Sequence, residues 1–371
     1  MDALSRHTSP RISACECVTA FGDTRATLNG LLDGARALAP TAVLGRDGGD
    51  MVPIGLAPGR SYEETSRPNW LPYLRALIAR LPSGDWGTGR RPIVVTSSNF
   101  GVGALHAFRR SGDRSFLALG TPFACVAWLA GELGWGQNVT IFSHACVSAH
   151  LGLLHGSRLL AAGLADSVLV FSFDFLSPFV VGGFHALKIL NADLPAPYQD
   201  RATGSVALGD GAAFAVLTRD RGEFEIPAQR LHNEMFHFTS NRVDGAGFTA
   251  CLASMAEATS GRKLWVKGHG TGTLEAGRLE STLLATAYPD APLVGWKGGI
   301  GHTLGSCGLV ELAIALEGMR RGRVPGTVGS APPAFGPTVA FEPFDAAPFD
   351  SVLCTSNAFG GAHAALLVAH A

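Results

Sequence analysis

Charge is scarce in this sequence. Charged residues make up only 16% of the 371 residues, and the 29 Lys and Arg nearly balance the 30 Asp and Glu. Without a basic excess there is no broad positive field to attract a phosphate backbone, so we expect no nucleic-acid partner. No apolar run is long enough to cross a bilayer, which argues against a membrane span. Hydrophobic residues, at 47%, suffice for one large core or two smaller ones that share an interface.

The seven cysteines lack the pairing pattern of secreted or zinc-binding proteins. Their number is odd, and no two are spaced as CxxC. The first eleven residues are polar, without the apolar stretch and small-residue cleavage site of an export signal. We therefore expect reduced thiols and a cytoplasmic protein.

Glycine, in contrast, is abundant, and its 47 residues repeatedly separate strand-like apolar runs from helix-like ones, which predicts an α/β fold. Strands are predicted at residues 92–96, 139–143, 167–173, 212–218, 264–267, 293–296, 351–354 and 364–368. Helices are predicted at residues 24–38, 69–81, 124–133, 147–163, 247–258 and 309–321. Residues 38–66 are rich in Gly and Pro and are predicted to form a loop. A polar break near residues 219–226 predicts a boundary between two halves, residues 1–220 and 221–371.

One of the cysteines, Cys146, lies where a predicted strand gives way to a predicted helix. Backbone N–H groups at a helix N-terminus favour a thiolate and can donate to an oxyanion. The position therefore predicts a lowered thiol pKa and a nucleophilic role. A free cysteine is more commonly a small buried hydrophobic residue, and the position alone leaves that alternative open.

Two histidines lie in glycine-rich turns that also follow predicted strands. His269 is part of Gly-His-Gly-Thr-Gly-Thr at residues 268–273, and His302 follows Gly-Gly-Ile-Gly. A lone histidine is more often structural, and the glycines around His302 fit a dinucleotide-binding loop poorly, because no acidic residue follows at the required distance. A cysteine and two histidines are instead the groups that covalent acyl transfer needs. None has a ligand neighbour at metal-site spacing, so we expect no metal.

The order and surroundings of these residues resemble the β-ketoacyl synthases that elongate acyl chains on carrier proteins. Residues 144–148, His-Ala-Cys-Val-Ser, are similar to the family's TACAS nucleophile motif, and residues 269–273 repeat HGTGT unchanged. Residues 297–305 match KxxxGHxxG, and residues 357–361 resemble a shortened NSFGFGG. The resemblance implies a thiolase-like fold of duplicated α/β units in five layers (α-β-α-β-α), usually assembled as a dimer.

By the same resemblance, Cys146 accepts an acyl chain from the phosphopantetheine thioester of an acyl-carrier protein, and no permanently bound cofactor is implied. His269 and His302 then assist decarboxylation of a malonyl-carrier protein, whose carbanion attacks the acylated Cys146. Lys297 is expected to be buried close to His302. The expected oxyanion and substrate-pocket residues are Thr271, Thr273, Phe359 and Gly360.

The sequence also departs from the family. Lys267 replaces an Asn near which family members often carry a structural cation, together with two carboxylates that match Glu280 and Glu311. We expect the Lys267 ammonium to take the place of that ion beside one of these carboxylates. The shortened loop leaves Phe359 either as a gate for the acyl chain or as core packing.

Three functions stay open at this point. The first is a condensing enzyme of fatty-acid, polyketide or polyene-type biosynthesis, which retention of the cysteine and both histidines favours. The second is a subunit like a chain-length factor, which shapes the pocket of another ketosynthase. The third is a non-condensing acyltransferase or hydrolase. The expected partners are an acyl-carrier protein and, in a homodimer or heterodimer, a second copy or a ketosynthase-like paralogue.

Overall fold

The computed structural model describes residues 9–44, 49–63, 69–82, 89–134, 138–237 and 242–371. The first eight residues of the polar N-terminal segment and parts of the predicted loop at 38–66 lie outside these ranges. The strands are β1 Arg11–Thr19, β2 Gly22–Asp23, β3 Ala39–Ala42, β4 Met51–Gly55, β5 Ile93–Thr96, β6 Val139–Phe142, β7 Ser167–Asp174, β8 Leu208–Gly209, β9 Gly211–Thr218, β10 Phe224–Asn233, β11 Leu264–Lys267, β12 Leu293–Val294, β13 Arg323–Val324, β14 Phe344–Asp345, β15 Ser351–Ala358 and β16 Ala362–His370. The helices are α1 Thr24–Leu32, α2 Leu71–Ile78, α3 Val102–Ser111, α4 Pro122–Glu132, α5 Ser148–Ala161, α6 Pro178–Ala186, α7 Ala246–Ala253, α8 Ala256–Thr259, α9 Leu274–Ala287, α10 Lys297–Ile300 and α11 Cys307–Arg320.

Eleven of the strands form one sheet, in the order β12-β11-β15-β16-β10-β1-β9-β7-β5-β6, with β2 paired to β1. Strands β5, β6 and β7 run parallel to one another, as do β11, β12 and β15. The predicted boundary between residues 1–220 and 221–371 falls between β9 and β10. Strands from the two sides of that boundary meet in the antiparallel pair of β1 and β10, where Ile12 lies opposite Phe224.

The sheet has two arms: one contains β1, β9, β7, β5 and β6, and the other contains β10, β16, β15, β11 and β12. Two helices, α5 and α11, lie against each other between these arms. Helix α5 contacts β5 and β7 in one arm and β10 and β16 in the other, and α11 contacts β1, β9 and β15. Twelve of the fourteen α11 residues are buried, as a helix enclosed on all sides requires. The outer faces are covered by α2 and α4 on one arm and by α7 and α9 on the other. The layers alternate helix, sheet, helix, sheet and helix, which confirms the predicted five-layer fold.

Every predicted strand is present in the structure, but one other prediction was wrong in part. Residues 38–66, predicted to form a loop, contain β3 and β4, which pair with each other. The polar break near residues 219–226 includes the start of β10, whose residues alternate between buried and partly exposed at first and become more exposed towards its end. Within the described residues, no helix combines the length and the apolar character needed to cross a membrane.

A buried ion pair fixes the segment before β9 next to His302. Arg60 Nη1 lies 3.1 Å from Asp210 Oδ2, and both side chains are 0% exposed. The backbone of His302 is hydrogen bonded to this segment, through its N–H to the Ala207 carbonyl at 2.7 Å and through its carbonyl to the Gly209 N–H at 3.0 Å. Anchoring Asp210 therefore also positions the backbone of His302.

We expect Arg60→Met to lower the free energy of unfolding by about 3–5 kcal/mol, because it leaves the Asp210 carboxylate buried without its cation. Urea denaturation measures the change. Arg323→Met is the matched control, since Arg323 pairs with Asp345 at 2.9 Å on the exposed surface and should contribute less than about 1 kcal/mol. Equal losses in the two variants would contradict this account of the ion pair.

Candidate active site

Cys146, His269 and His302 converge on one site although they are far apart in the sequence. Cys146 Sγ lies 3.2 Å from His302 Nε2. The ring centroids of His269 and His302 are 5.0 Å apart, and the rings are nearly perpendicular, at 81°. One sulfur or nitrogen atom of each residue lies within 4.8 Å of those of the other two. A thiol and two imidazoles can therefore act on the same bound group.

Cys146 lies in the tight turn between β6 and α5. Ala145, just before it, has a φ of 45°, in the left-handed region that few residues other than glycine adopt. The Ser148 hydroxyl accepts the His144 N–H at 2.7 Å and donates to the Ala145 carbonyl at 2.7 Å. These bonds close the turn and place Cys146 two residues before Ser148, the first residue of α5.

Burial raises the pKa of the Cys146 thiol, whereas the sequence predicted a lowered one. Cys307 adds to the rise, and Lys297 and the Phe359 backbone N–H oppose it. Loss of hydration of the charged form therefore outweighs the helix terminus, although the Cys146 side chain keeps part of its surface exposed. Burial therefore favours the neutral form of this thiol.

The backbone fixes the tautomer of His302. The Leu304 N–H donates to His302 Nδ1 at 3.0 Å, so Nδ1 is the acceptor and the proton of the neutral ring is on Nε2, facing Cys146. Burial, followed by the charges of Lys297 and Lys267, holds the pKa of His302 well below its usual value. His302 thus stays neutral and presents an N–H to the sulfur.

His269 is held through its backbone by two charged side chains. Its N–H donates to Glu280 Oε1 at 2.6 Å, and its carbonyl accepts from Lys297 Nζ at 2.6 Å. Burial, with Lys297 as the next cause, also holds the pKa of His269 well below its usual value. The predicted burial of Lys297 is observed, since only 1% of the residue is exposed.

Lys267 and Lys297 share one carboxylate, that of Glu311. Lys297 Nζ lies 2.7 Å from Oε1, and Lys267 Nζ pairs with Oε2. Lys267 also reaches the Thr355 carbonyl at 3.4 Å. Of the two carboxylates expected beside Lys267, the structure therefore selects Glu311.

Glu280 is satisfied by neutral donors instead. Besides the His269 N–H, it accepts the Gly270 N–H at 2.9 Å, the Tyr198 hydroxyl at 3.0 Å and the Asn357 side-chain amide at 3.2 Å. Sequence analysis missed Tyr198, because no motif contains it and its contact spans 82 residues.

The predicted gate residue Phe359 lies in the turn between β15 and β16. Gly360 and Gly361 in this turn have φ values of 91° and 73°, which explains the need for glycine there. Phe359 is 39% exposed, and its ring stacks on Phe184 with centroids 6.5 Å apart. This exposure contradicts the core-packing alternative.

Thr271 and Thr273, the other expected pocket residues, are partly buried, and their hydroxyl oxygens are 3.2 Å apart. Among the hydrogen bonds of the described residues, none joins either hydroxyl to Cys146, His269 or His302. Their place in a substrate pocket stays a prediction.

The chemistry of the site fits an acyl group better than a metal ion. Cys146, His269 and His302 are zinc-type ligands and lie close together. However, the buried ammonium groups of Lys267 and Lys297 act on both imidazoles, and their charge would repel a divalent cation. We therefore assign no metal to these residues.

Asp174, at the end of β7, is a buried carboxylate that sequence analysis missed. It accepts the Ser97 hydroxyl at 2.6 Å and the Asn99 N–H at 2.9 Å. A Cβ added to Gly305 would lie 2.9 Å from Asp174 Oδ2, so the carboxylate supports the turn that follows His302. The sequence did contain a signal for Asp174, because a charged residue at the end of an otherwise apolar strand is unusual. Burial raises the pKa of Asp174 to about 6.

We expect Asp174→Asn to flatten the pH dependence of stability. Because the pKa of Asp174 is about 6 in the folded chain and ordinarily 3.8, the folded state binds the proton more tightly. This contribution to stability is complete at low pH and is lost as the pH rises through about 6, by about 3 kcal/mol in total. Urea denaturation of both proteins between these two pH values measures the difference. Parallel curves would show that Asp174 does not titrate in this way.

Comparisons with known proteins agree with this geometry. Residues 231–330 match the C-terminal domain of β-ketoacyl synthases. The tetracenomycin polyketide synthase ketoacyl synthase alpha subunit of Streptomyces glaucescens is 30% identical over 272 residues, which are 66% of this chain and 62% of that protein. A putative β-ketoacyl synthase of the actinorhodin polyketide from Streptomyces coelicolor is 27% identical, over 66% of this chain and 56% of its own length. The chain thus spans less than two thirds of these curated relatives.

Solved structures share the whole fold. One chain of a Xenorhabdus doucetiae ketosynthase in complex with its chain length factor has a TM-score of 0.80 at 21% identity, and the match covers 100% of this chain and 100% of that one. A β-ketoacyl synthase from Burkholderia phymatum has a TM-score of 0.81 at 19% identity, covering 98% of this chain and 100% of its own. Together, these comparisons show a β-ketoacyl synthase C-terminal domain at residues 231–330 and the fold of known ketosynthases over at least 98% of the chain.

Proposed function

We propose that the chain is a condensing β-ketoacyl-carrier-protein synthase of a type II polyketide pathway, with Cys146 as its acyl acceptor. The observation that carries the proposal is the 3.2 Å contact between Cys146 Sγ and His302 Nε2, with the ring of His269 beside it. The curated relatives, which are polyketide ketosynthases, support the polyketide route over the fatty-acid route.

In the first step of the proposed reaction, Cys146 Sγ attacks the carbonyl carbon of an acyl thioester on a carrier protein. A C–S bond forms to Cys146, the bond to the phosphopantetheine sulfur breaks, and the thiol proton passes to that leaving sulfur. The Phe359 N–H, whose hydrogen bond to Cys146 lowers the thiol pKa, lies where it can also donate to the oxyanion of the intermediate.

In the second step, a malonyl thioester on a carrier protein loses CO2, and its electron pair forms an enolate. Neutral His269 and His302 can donate N–H groups to the enolate oxygen as its charge grows. The enolate carbon then attacks the acyl carbon on Cys146, and the released sulfur takes up a proton. The products are a β-ketoacyl-carrier protein, CO2 and the free thiol.

The two alternative functions use less of this site. A subunit like a chain-length factor needs neither the thiol nor the imidazoles, and a hydrolase or other acyltransferase needs no group to stabilise an enolate. Here Cys146, His269 and His302 converge, and both imidazoles are neutral N–H donors. Condensation is the reaction that employs all three.

The proposed division into residues 1–220 and 221–371 has a functional meaning in this scheme. The first half carries the nucleophile Cys146, and the second carries both histidines and Lys297. The proposed location is the cytoplasm, where the seven cysteines would stay reduced.

The proposed partners are an acyl-carrier protein and a second ketosynthase-like chain, identical or paralogous. Strand β6 lies at the end of the sheet order and pairs only with β5 among the described strands, so its other edge is available to a second chain. Related structures were solved as a ketosynthase with its chain length factor and as a ketosynthase with its acyl-carrier protein. A monomeric mass by light scattering, both alone and mixed with a ketosynthase-like paralogue, would contradict the dimer.

We expect intact-mass analysis with acyl-carrier proteins of several chain types to show one acyl adduct on the wild type and none on Cys146→Ala, because only that thiol faces the imidazoles. Cys251→Ala is the control, since Cys251 is buried against the His363 carbonyl in another part of the fold. An adduct that persists on Cys146→Ala would assign the nucleophile to another residue.

We expect His269→Ala and His302→Ala to slow CO2 release from malonyl-carrier protein by about 100-fold or more each, because each removes a donor to the enolate. The acyl adduct on Cys146 should still form in both variants. His106→Gln is the control, because the His106 ring packs against Phe179, with the ring centroids 5.4 Å apart. Wild-type CO2 release in either histidine variant would contradict the proposed role of that residue.

A further inference from the structure

Four ionisable side chains that carry charge at neutral pH are buried together around His269. Lys267 is 0% exposed, Lys297 and Glu311 are 1% exposed, and Glu280 is 5% exposed. Two ammonium groups and two carboxylates give the cluster no net charge. An unbalanced charge at this depth is costly, so each buried ammonium group needs a carboxylate to balance it.

The two carboxylates have different tasks within the cluster. Glu280 binds backbone and side-chain donors, including the His269 N–H. Glu311 binds both lysines, one with each oxygen. Among the described residues, Glu311 is therefore the carboxylate in direct contact with both ammonium groups.

Lys297 depends on this arrangement for its contact with His269. Its ammonium bridges Glu311 Oε1 and the His269 carbonyl, at 2.7 Å and 2.6 Å. Without Lys267, Glu311 Oε2 would be buried and would lose its ammonium partner. The carboxylate would then compete for Lys297 with both oxygens or take up a proton, and either change weakens the bridge to His269.

We propose that Lys267 is a positioning residue of the condensation reaction: its ammonium holds the Glu311 carboxylate, so that Lys297 can hold the His269 carbonyl. The part of this inference that concerns condensation rests on the proposed function. Lys267 is the last residue of β11, two residues before His269, so the same strand end delivers the charge and the imidazole.

Removing the Lys267 ammonium should also raise the pKa values of His269 and His302. Burial is the main cause of the lowered pKa values of His269 and His302, and Lys267 and Lys297 lower both further. Removing one ammonium leaves the cluster with a net negative charge, which favours an imidazolium. The other titratable or charged groups that surround the two rings are Cys146, His150, Asp174, Tyr198, Glu280, Cys307 and Glu311.

The test uses three variants of the full chain that change the cluster charge in opposite directions. Lys267→Met leaves it negative, Glu311→Gln leaves it positive, and the double variant restores neutrality. Lys263→Met is the matched control, because Lys263 precedes the same strand and its residue is exposed. Histidine protonation is followed by NMR of ring-labelled protein, and the two site histidines are assigned by single substitution.

In the wild type we expect both imidazoles to stay neutral wherever the protein is folded. Lys267→Met should raise their titration midpoints by about one pH unit or more, whereas Glu311→Gln and the double variant should leave them neutral. In Lys267→Met, condensation should slow about tenfold at neutral pH. The pH below which its rate falls should rise by the same amount as the titration midpoints of the two histidines. The control should behave as the wild type in both measurements.

The proposal would be overturned if Lys267→Met kept the wild-type titration midpoints of both histidines and the wild-type pH dependence of the condensation rate. If Lys267→Met does not fold, the charge-balanced double variant decides: recovery of folding with neutral histidines supports it, and a double variant as unstable as the single one overturns it. If the wild type itself forms no β-ketoacyl product, the proposed function fails. The histidine titration still decides whether Lys267 sets the charge of the imidazoles.

Discussion

The grip of two opposite charges on the His269 peptide is the interaction on which the rest of the site depends. Glu280 holds its N–H and Lys297 its carbonyl, so the backbone that carries the imidazole is fixed. Among the described residues, Nδ1 of the ring has no hydrogen-bond partner and is free to bind another group. Such a grip is stable only where water is excluded and each charge has a partner, which explains why the site lies deep between the layers.

The central layer of the fold provides that environment. Helix α11 is buried along nearly its whole length and brings Glu311 to the two lysines. Helix α5, packed against it, begins beside Cys146. The turn that carries Cys146 and the strand end that carries Lys267 therefore face a common interior, so Cys146 and the two histidines meet although they come from different halves of the chain.

Desolvation also changes the protonation state that is expected of Cys146. A cysteine at a helix N-terminus was expected to ionise easily, yet the protein atoms around Cys146 favour the neutral thiol. The same burial keeps His269 and His302 neutral. The resting site therefore holds a neutral thiol beside two neutral imidazoles, which leaves no unpaired charge on these three residues.

The sequence by itself determined the α/β fold and the three residues at the centre of the site. Short apolar strands, glycine-rich turns and the motifs around Cys146, His269 and His302 are local signals, readable within a few positions of one another. Only the tertiary structure decided that Lys267 binds Glu311 rather than Glu280, that Asp174 and Tyr198 support the site, and that Phe359 is exposed. These features join residues many tens of positions apart, and the cost of burial sets the proton affinity of each group. The residues next to a side chain in the sequence determine neither its hydrogen-bond partner nor how deeply it is buried.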